Sequence, residues 1–186
     1  MHDVVRPERV RLTYDDFRAL PDDGRRYEII DGDLSMSPSP VTRHQVIVGN
    51  LFAILREHVR RHALGRVFIA PFDVVLGNMD VVEPDVIFVS TQRAAIVTDR
   101  NIQGVPDLLV EVLSPATAER DRRTKRNLYA RAGVPWYWLV DPDANELVEL
   151  QLVGRDYGER SRVAATGAFS PALFPQLQLS VAELWT

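Results

Sequence analysis

The sequence predicts an α/β (α+β) fold in which a mixed central sheet is flanked by helices, with a helix and a hairpin near the N-terminus. Three observations predict it. A long amphipathic helix precedes a run of strands, residues 105–140 read strand, helix, strand, and Asp31-Gly32 separates two short apolar runs. A strand–helix–strand unit joins two parallel strands through a right-handed crossover. The Asp-Gly hairpin adds an antiparallel pair, so both pairings are expected.

The N-terminal half is expected to contain two helices and five strands. Thr13 and Asp16 form a capping box, which predicts a short helix to about Leu20. Ser39-Pro40 is expected to open a longer helix, because serine caps helices and proline suits the first helical position. Apolar residues recur at spacings of three and four through this helix to about His62. The expected strands are Tyr27–Ile30, Asp33–Met36, Val67–Ala70, Phe72–Leu76 and Val81–Val89.

The C-terminal half is expected to place one basic helix among its strands, after a mixed connection over residues 91–104. Ser114-Pro115 repeats the Ser-Pro cap, and Gly133 ends the helix that it opens. Residues 141–145 form a turn that returns the chain. The expected strands are Val105–Leu113, Trp136–Val140 and Glu146–Val153, with an edge at Arg162–Ala164 and a capping box at Ser180–Glu183.

Length and composition indicate one domain over 1–186, with a core at about 25–153, an arm at 1–11 and a C-terminal hairpin and cap at 146–186. Cysteine is absent, which excludes a disulfide framework and a thiolate zinc site. There is no apolar run long enough for a membrane span and no signal core, so we expect a cytoplasmic protein without a membrane partner. The formal net charge of −4 argues against nonspecific coating of nucleic acid.

One segment departs from this acidic balance. Residues 120–131 contain six basic side chains and one acidic side chain, so the local charge is six minus one, or +5. Arg120, Arg122, Arg123 and Arg126 could bind nucleic-acid phosphates from this helix. A solvated helix face without a ligand would have the same composition, and the sequence leaves both interpretations open.

Lys125 is the one lysine among 22 lysine and arginine residues. Lysine has a compact ammonium on a flexible stem, and its pKa shifts more readily on burial than that of arginine. Lys125 lies four residues after Asp121 and four before Tyr129, on the basic helix. A simple helical ion pair of Asp121 with Lys125 is the alternative, contributing about 0.3–0.5 kcal/mol if exposed.

Two carboxylates lie on the strands expected near the centre of the sheet. Asp85 follows Pro84, which cannot donate to a central ladder, so a strand start or bulge is expected there. Alternation places Asp85 with Glu83 on one face, opposite an apolar face taken as the core side. Glu111 is surrounded by apolar residues, and its burial requires an ion-pair partner, a proton or a metal. Two neighbouring carboxylates with a cation between them suit Mg²⁺.

The histidines are weaker candidates. His44 lies at the inner edge of the apolar stripe of its helix, where it is either satisfied by a neighbour or directed into a site beside the hairpin. His58 and His62 have a spacing that can bind metal, but the arginines around them favour a solvated face.

These residues, taken in order, resemble the PD-(D/E)XK nuclease superfamily, and more narrowly the bacterial Uma-type family, which has a restriction-endonuclease-like core. The resemblance spans roughly residues 12–185 and depends on the order and spacing of several stretches. These are Tyr27–Leu34, the His44 helix, Glu83–Asp85, Leu109–Pro115, Asp121, Lys125, Tyr129 and Gly133–Pro142.

The resemblance implies that Asp85 and Glu111 occupy the two acidic metal-binding positions, with Mg²⁺ or Mn²⁺ as cofactor. It implies more weakly that Glu28 is an additional acid near the metal, and that His44 and Tyr129 are neighbours of the site. These residues, together with Asp121 and Lys125, are the predicted site.

The lysine departs from the superfamily pattern. The superfamily expects it two residues after the second acid, where this chain has Leu113. Lys125 would have to reach the same space from the following helix, as the Uma-type pattern has it. Whether Lys125 then acts in catalysis or holds Glu111 in place stays open at this point.

Three hypotheses follow. The first is a metal-dependent endonuclease that hydrolyses phosphodiester bonds of DNA, in which Lys125 orients the attacking water or stabilises the transition state. The second is a nuclease-like fold that no longer cuts and acts as a nucleic-acid-binding or regulatory module. The third is a self-associating protein, a homodimer, because Trp136, Tyr137 and Trp138 cannot all face one core. A sheet buried on both faces would explain these aromatics equally well.

Overall fold

The structure, a computed structural model, describes residues 10–186. Its α-helices are α1 (Tyr14–Arg18), α2 (Thr42–Arg61) and α3 (Arg126–Ala132), with 3₁₀ segments at Thr91–Ile96 and Val181–Leu184 and a π-helical segment at Arg120–Lys125 that runs into α3. Its strands are β1 (Arg26–Ile30), β2 (Asp33–Ser37), β3 (Gly65–Ile69), β4 (Val74–Gly77), β5 (Asp80–Val82), β6 (Val86–Ser90), β7 (Ile102–Gln103), β8 (Leu108–Val112), β9 (Trp136–Asp141), β10 (Glu146–Val153), β11 (Asp156–Ala164), β12 (Ala168–Phe169) and β13 (Leu179–Ser180). Residues 1–9 of the expected N-terminal arm lie outside the described range.

Two mixed sheets organise these strands. The smaller has the order β2-β1-β5-β4-β7, and the larger has the order β11-β10-β9-β8-β6-β3; β12 and β13 form a short separate ladder. Strands β8 and β9 pair in parallel and are joined by the π segment and α3, which confirms the predicted crossover. The predicted hairpin is β1 with β2, and Asp31 and Gly32 both adopt positive φ at its turn, as a type I′ turn requires. The predicted mixed α+β fold is confirmed.

The larger sheet is buried on both faces. One face packs on α2 and the C-terminal segment in a cluster that includes Leu51, Val110 and Trp138. The other face packs on α3 in a cluster that includes Leu109 and Tyr137. Helices placed by crossovers cover a sheet on both sides. The expectation of a single core side for the strand containing Asp85 is therefore wrong.

Burial on both faces also explains the run of three aromatics in β9. Trp138 joins the α2 cluster, and Tyr137 lies in the α3 cluster with 0% of its surface exposed. The phenol of Tyr137 donates a hydrogen bond to the carbonyl of Asp121 within the same chain. The aromatic run thus needs no second copy of the chain, and the homodimer stays a prediction without this support.

The predicted strand Val81–Val89 is divided between the two sheets. Strand β5 ends at Val82 in the smaller sheet, and β6 begins at Val86 in the larger sheet. Glu83-Pro84-Asp85 forms the passage between them, as expected of a proline that cannot donate to a ladder. The division places the carboxylate of Asp85 at the junction of the two sheets.

Both Ser-Pro helices begin later than predicted. Helix α2 begins at Thr42 with Val41 as its cap. After Ser114, whose carbonyl accepts from the amides of Thr117 and Ala118, a turn precedes the helix. The capping box of Thr13 is present at α1 as predicted.

The C-terminal strand β11 is longer than the expected edge at residues 162–164 and pairs with the whole of β10. No helix within residues 10–186 is both long and apolar enough to cross a membrane.

Candidate functional site

A cleft of about 280 Å³ opens where the ends of β6 and β8 meet the start of α2 and the π segment. We call it the carboxylate cleft. Its wall includes six of the predicted site residues: His44, Asp85, Glu111, Arg120, Asp121 and Lys125. Elements distant in sequence supply these side chains. Their convergence around one cavity is the arrangement that the carboxylate hypothesis required.

Asp85 is fixed by contacts to the neighbouring strand and to α2. Its Oδ2 accepts a hydrogen bond from the amide of Val112 at 2.8 Å and lies 3.2 Å from Nε2 of His44. The His44 Nδ1 is buried and has no hydrogen-bond partner among the described residues. His44 therefore faces the site, with one ring nitrogen holding Asp85. Both hydrogen-bonding contacts of Asp85 use the same oxygen.

Glu111 is buried in β8 on the face that packs on α3. Its Oε1 accepts from the Lys125 ammonium at 2.8 Å and from the Tyr129 phenol at 2.7 Å. Burial raises the pKa of Glu111 to about 8, the Lys125 ammonium opposes that rise, and the carboxylates of Asp121 and Asp85 add to it. A carboxylate surrounded by like charges is stabilised by a further cation beside it.

Lys125 lies between three carboxylates, although only 4% of its surface is exposed. Its Nζ is 2.8 Å from Oε1 of Glu111, 2.9 Å from Oε1 of Glu28 and 3.7 Å from Oδ1 of Asp121. Leu113, at the position where the superfamily expects the lysine, is packed in the α3 cluster. The ammonium thus reaches Glu111 from the helix, as the resemblance implied.

Glu28 is fully buried in β1 and faces Lys125 from the hairpin side. Its Oε1 also accepts from the amide of Glu83 at 2.8 Å, and its Oε2 is ion-paired with Arg120. Both of its oxygens are therefore engaged by the protein. Glu28 holds Lys125 and Arg120 in position and does not line the carboxylate cleft itself.

The π-helical segment brings Asp121 and Lys125 to the same side of the helix, and both are buried. Burial raises the pKa of Asp121, while the Lys125 ammonium and a hydrogen bond from Thr117 lower it. A π segment is uncommon and often marks a functional position. The alternative of an exposed helical pair is excluded by this burial.

The donor set suits a hard divalent cation. All hydrogen bonds to the two carboxylates from described residues fall on Oδ2 of Asp85 and Oε1 of Glu111, which leaves Oδ1 and Oε2 for a cation in the cleft. No group of three or more His, Asp or Glu side chains within residues 10–186 is arranged to hold a metal ion. Mg²⁺ commonly uses one or two carboxylates and completes its octahedron with water and substrate oxygens, so two carboxylates facing a cleft fit it.

The four arginines predicted to bind nucleic acid differ in availability. Arg120 lines the cleft while paired with Glu28. Arg122 is paired with Asp141, and Arg126 donates to the carbonyl of Tyr157 at 2.7 Å. Arg123 is the most exposed of the four, at 78% of its side chain, and pairs with Glu119 on the same helix. The basic stripe is therefore largely occupied by contacts within the chain.

Sequence reasoning missed the ion pair of Arg26 with Glu83, which lines the carboxylate cleft. Glu83 shares the predicted face of Asp85, and that signal could have identified it. Arg26 had no such signal, because it lies 57 residues before Glu83 in the sequence and meets it only through the tertiary structure.

Comparisons with known proteins agree with this fold. A family model described as Uma2, putative restriction endonuclease, matches residues 14–182. The crystal structure of a putative nuclease belonging to DUF820 from Anabaena variabilis ATCC 29413 is similar with a TM-score of 0.77 at 21% sequence identity, covering 94% of this chain and 97% of that chain. At this identity the likeness shows the fold alone. A search of curated proteins gives no match.

Proposed function

The chain belongs to the Uma2 family of putative restriction endonucleases, and on that premise we propose that it is a metal-dependent endonuclease that hydrolyses phosphodiester bonds of DNA. The observation that carries the proposal is the convergence of Asp85, Glu111 and Lys125 on one solvent-accessible cleft. Nothing in the order of the residues along the chain requires that convergence.

Asp85 and Glu111 would hold Mg²⁺ or Mn²⁺ through the oxygens that face the cleft. A divalent ion there supplies charge neutralisation on the phosphodiester and lowers the pKa of a bound water. His44 orients Asp85 through Nε2, and Tyr129 orients Glu111 through its phenol. Outer contacts of this kind fix the direction of ligating carboxylates.

Lys125 would favour the ionised form of Glu111 and add positive charge next to the scissile phosphate. Preorganised charge of this kind stabilises the anion that develops in the transition state. Glu28 and Asp121 also hold the ammonium, at 2.9 Å and 3.7 Å. Arg120 and Arg123 are the arginines of the helix that we assign to DNA phosphates, one inside the cleft and one on the surface.

The experiment is cleavage of supercoiled and linear DNA by the purified protein with Mg²⁺, with Mn²⁺ and with EDTA. Asp85→Ala and Glu111→Ala are expected to abolish cleavage and to weaken Mn²⁺ binding by at least about tenfold in calorimetry, the scale seen when site geometry is lost. Glu57→Ala, which removes a surface carboxylate of α2 outside the cleft, is the matched control. Cleavage that persists unchanged in both cleft variants refutes the assignment.

A second candidate is a nuclease-like module that binds nucleic acid without cutting it. The enclosure of Lys125 by Glu28, Glu111 and Asp121 favours it. Neutralisation of three buried carboxylates is a structural role, and it explains the position of this ammonium without catalysis. Under this alternative, the protein binds DNA in EDTA as strongly as in Mn²⁺, and calorimetry detects no metal binding.

A further inference from the structure

A larger groove adjoins the carboxylate cleft. The α1 groove has a volume of about 570 Å³ and is lined by α1, by residues 20–27 and by the segment containing Arg100 and Asn101. A third space of about 330 Å³, along the end of β2 and residues 38–40, shares lining residues with both. Arg26 lines all three cavities, and Glu83 lines both the cleft and the groove. The three spaces are therefore neighbours that share Arg26 as a lining residue, and the Arg26–Glu83 pair lies where the cleft and the groove adjoin.

Exposed guanidinium groups line the α1 groove. Among the described residues, Arg18 pairs with Asp15 at 4.0 Å and lies over the ring of Tyr14, 5.9 Å from its centroid. Arg25 pairs with Asp23 at 3.5 Å, and both arginines are more than half exposed. The exposed Arg100 makes no side-chain ion pair with any described residue. Weak exposed pairs of this kind contribute little to stability, so a phosphate can replace them easily.

These arginines differ from those of the basic helix. Of the helix arginines, Arg120, Arg122 and Arg126 are held by Glu28, by Asp141 and by the Tyr157 carbonyl. A phosphate that bound them would have to break partly buried contacts. Arg123 is exposed and has a weak pair of the same kind, but it lines neither the cleft nor the groove. The weakly paired, exposed arginines that line a space next to the carboxylate cleft therefore lie on the α1 side, although the sequence concentrates its arginines on the helix.

Aromatic side chains line the α1 groove together with the arginines. Tyr14, Phe17 and Tyr27 line it and are half-buried. The Tyr14 oxygen accepts from Asn101 at 2.7 Å, and the Tyr27 phenol donates to Asp23 at 2.8 Å, so both rings are fixed at their polar ends. A groove that combines cationic side chains with aromatic rings is typical of sites for single nucleic-acid strands, because phosphates pair with the cations and unpaired bases stack on the rings.

Two further carboxylates, Asp22 and Asp73, line the groove as well. Burial raises the pKa of Asp73 and also that of Glu83, whose rise Arg26 opposes. The Arg26 guanidinium is ion-paired with Glu83 and so offsets the charge of this carboxylate within the groove.

We infer that the α1 groove binds one DNA strand as it leaves the carboxylate cleft, with phosphates on Arg18, Arg25 and Arg100 and unpaired bases against Tyr14, Phe17 and Tyr27. The inference rests on the proposed function for its substrate class. It adds that the substrate is single-stranded, or opened to a single strand, on this side of the scissile bond. It also assigns recognition chiefly to the hairpin side of the cleft, with Arg120 and Arg123 of the basic helix as secondary phosphate contacts.

Binding is tested in EDTA, where metal-dependent cleavage cannot occur. Fluorescence anisotropy with a labelled single strand of about twelve nucleotides, a length in the range of single-strand sites, compares wild type with Arg18→Ala, Arg25→Ala and Arg100→Ala. Each loss of a phosphate contact is expected to reduce the slope of log affinity against log salt by about 0.7. Arg60→Ala is the matched control, because Arg60 forms an exposed pair with Glu57 three residues away on a helix, as Arg18 does with Asp15.

A separate variant tests the stacking of bases on the aromatic rings of the groove. Phe17→Leu keeps an apolar side chain but removes the ring, and the dissociation constant is expected to rise about 5- to 140-fold, the range of one lost base–aromatic stack. A duplex of the same sequence is expected to show a smaller effect, because its bases are already stacked. Far-ultraviolet circular dichroism and the melting temperature identify any variant that fails to fold.

Photocrosslinking of a strand that contains iododeoxyuridine, followed by mass spectrometry, locates the strand on the folded wild-type chain. A crosslink within residues 14–27 supports the inference whether or not the protein cuts DNA. A crosslink confined to residues 118–132, or groove variants that bind as well as Arg60→Ala does, overturns it and leaves the nuclease proposal standing. Failure of the wild type to bind any single strand also overturns it, and the cleavage assay with Asp85→Ala then judges the proposed function separately.

Discussion

Replacement of Lys125 by methionine is expected to destabilise the fold strongly. Methionine has a similar length and is apolar, so it fills the volume and removes only the charge and its hydrogen bonds. The Lys125 ammonium is 2.8 Å from Glu111 and 2.9 Å from Glu28, and 4% of the residue is exposed. The substitution leaves these carboxylates buried near Asp121 without the cation between them.

The magnitude follows from this burial. Removal of one partner of a buried ion pair lowers the free energy of unfolding by about 3–5 kcal/mol, because an uncompensated charge stays inside the protein. For a chain of this length, each kcal/mol corresponds to about 2–4 °C in melting temperature, so a fall of about 6–20 °C is expected. An exposed pair contributes about 1 kcal/mol at most. Arg123→Met, which removes the exposed pair with Glu119, is therefore the matched control.

The loss is expected to depend on pH. Burial already raises the pKa of Glu111 to about 8, and the Lys125 ammonium opposes that rise. Without the ammonium the folded-state pKa lies still further above the unfolded value. The folded protein then binds more protons than the unfolded chain between these two pKa values, so the free energy of unfolding falls as pH rises through that window. The variant should lose more stability at high pH than at low pH.

Thermal and urea unfolding, followed by circular dichroism in EDTA, measure the effect at about pH 5.5 and about pH 8.5, on either side of the Glu111 pKa. The expected result is a larger difference between variant and wild type at the higher pH, with no such trend for Arg123→Met. A Lys125→Met protein that melts within about 2 °C of wild type at both values, well under the expected shift of about 6–20 °C, would contradict the idea that this lysine neutralises the buried carboxylates.

Two further substitutions test the surroundings of the site and the core. Tyr129→Phe removes the phenol that donates to Glu111 at 2.7 Å and should lower the free energy of unfolding in urea by about 1–3 kcal/mol; an unchanged midpoint would exclude that hydrogen bond from a role in stability. Leu51→Ala in α2, fully buried in the α2 cluster, should cost about 2–5 kcal/mol. Val46→Ala on the exposed side of the same helix should cost less than about 1 kcal/mol, and equal losses would contradict the assigned buried face.

The elements that the sequence predicted well are those with strong local signals. Asp31-Gly32 specified its hairpin because few residues accept positive φ at both turn positions. The apolar spacing in α2 identified its buried face, and Gly133 ends α3 in the left-handed conformation that suits glycine. The two Ser-Pro sites were less informative, since each helix begins two or three residues after the proline that was expected to open it.

The candidate site was partly predictable from chemistry alone. Glu111 is surrounded by apolar residues in the sequence, and Lys125 is the one lysine. Both features indicated charged side chains that need a partner of opposite charge. The two residues are fourteen positions apart, and that spacing alone did not predict that their side chains would pair at 2.8 Å. The division of residues 81–89 between two sheets was likewise missed, because a local apolar pattern does not identify the sheet that a strand joins.

The sequence by itself determined which chemical groups this protein possesses: two carboxylates in or beside central strands, one lysine ammonium, and a helix rich in guanidinium groups. Only the tertiary structure decided which of them meet and which remain available to a ligand. It joined Asp85 and Glu111 at one cleft, and it paired Arg120, Arg122 and Arg126 with groups of the chain while leaving the arginines near α1 exposed. The physical reason is that the charge of a side chain is a local property, whereas its neutralisation depends on contacts between segments distant along the chain.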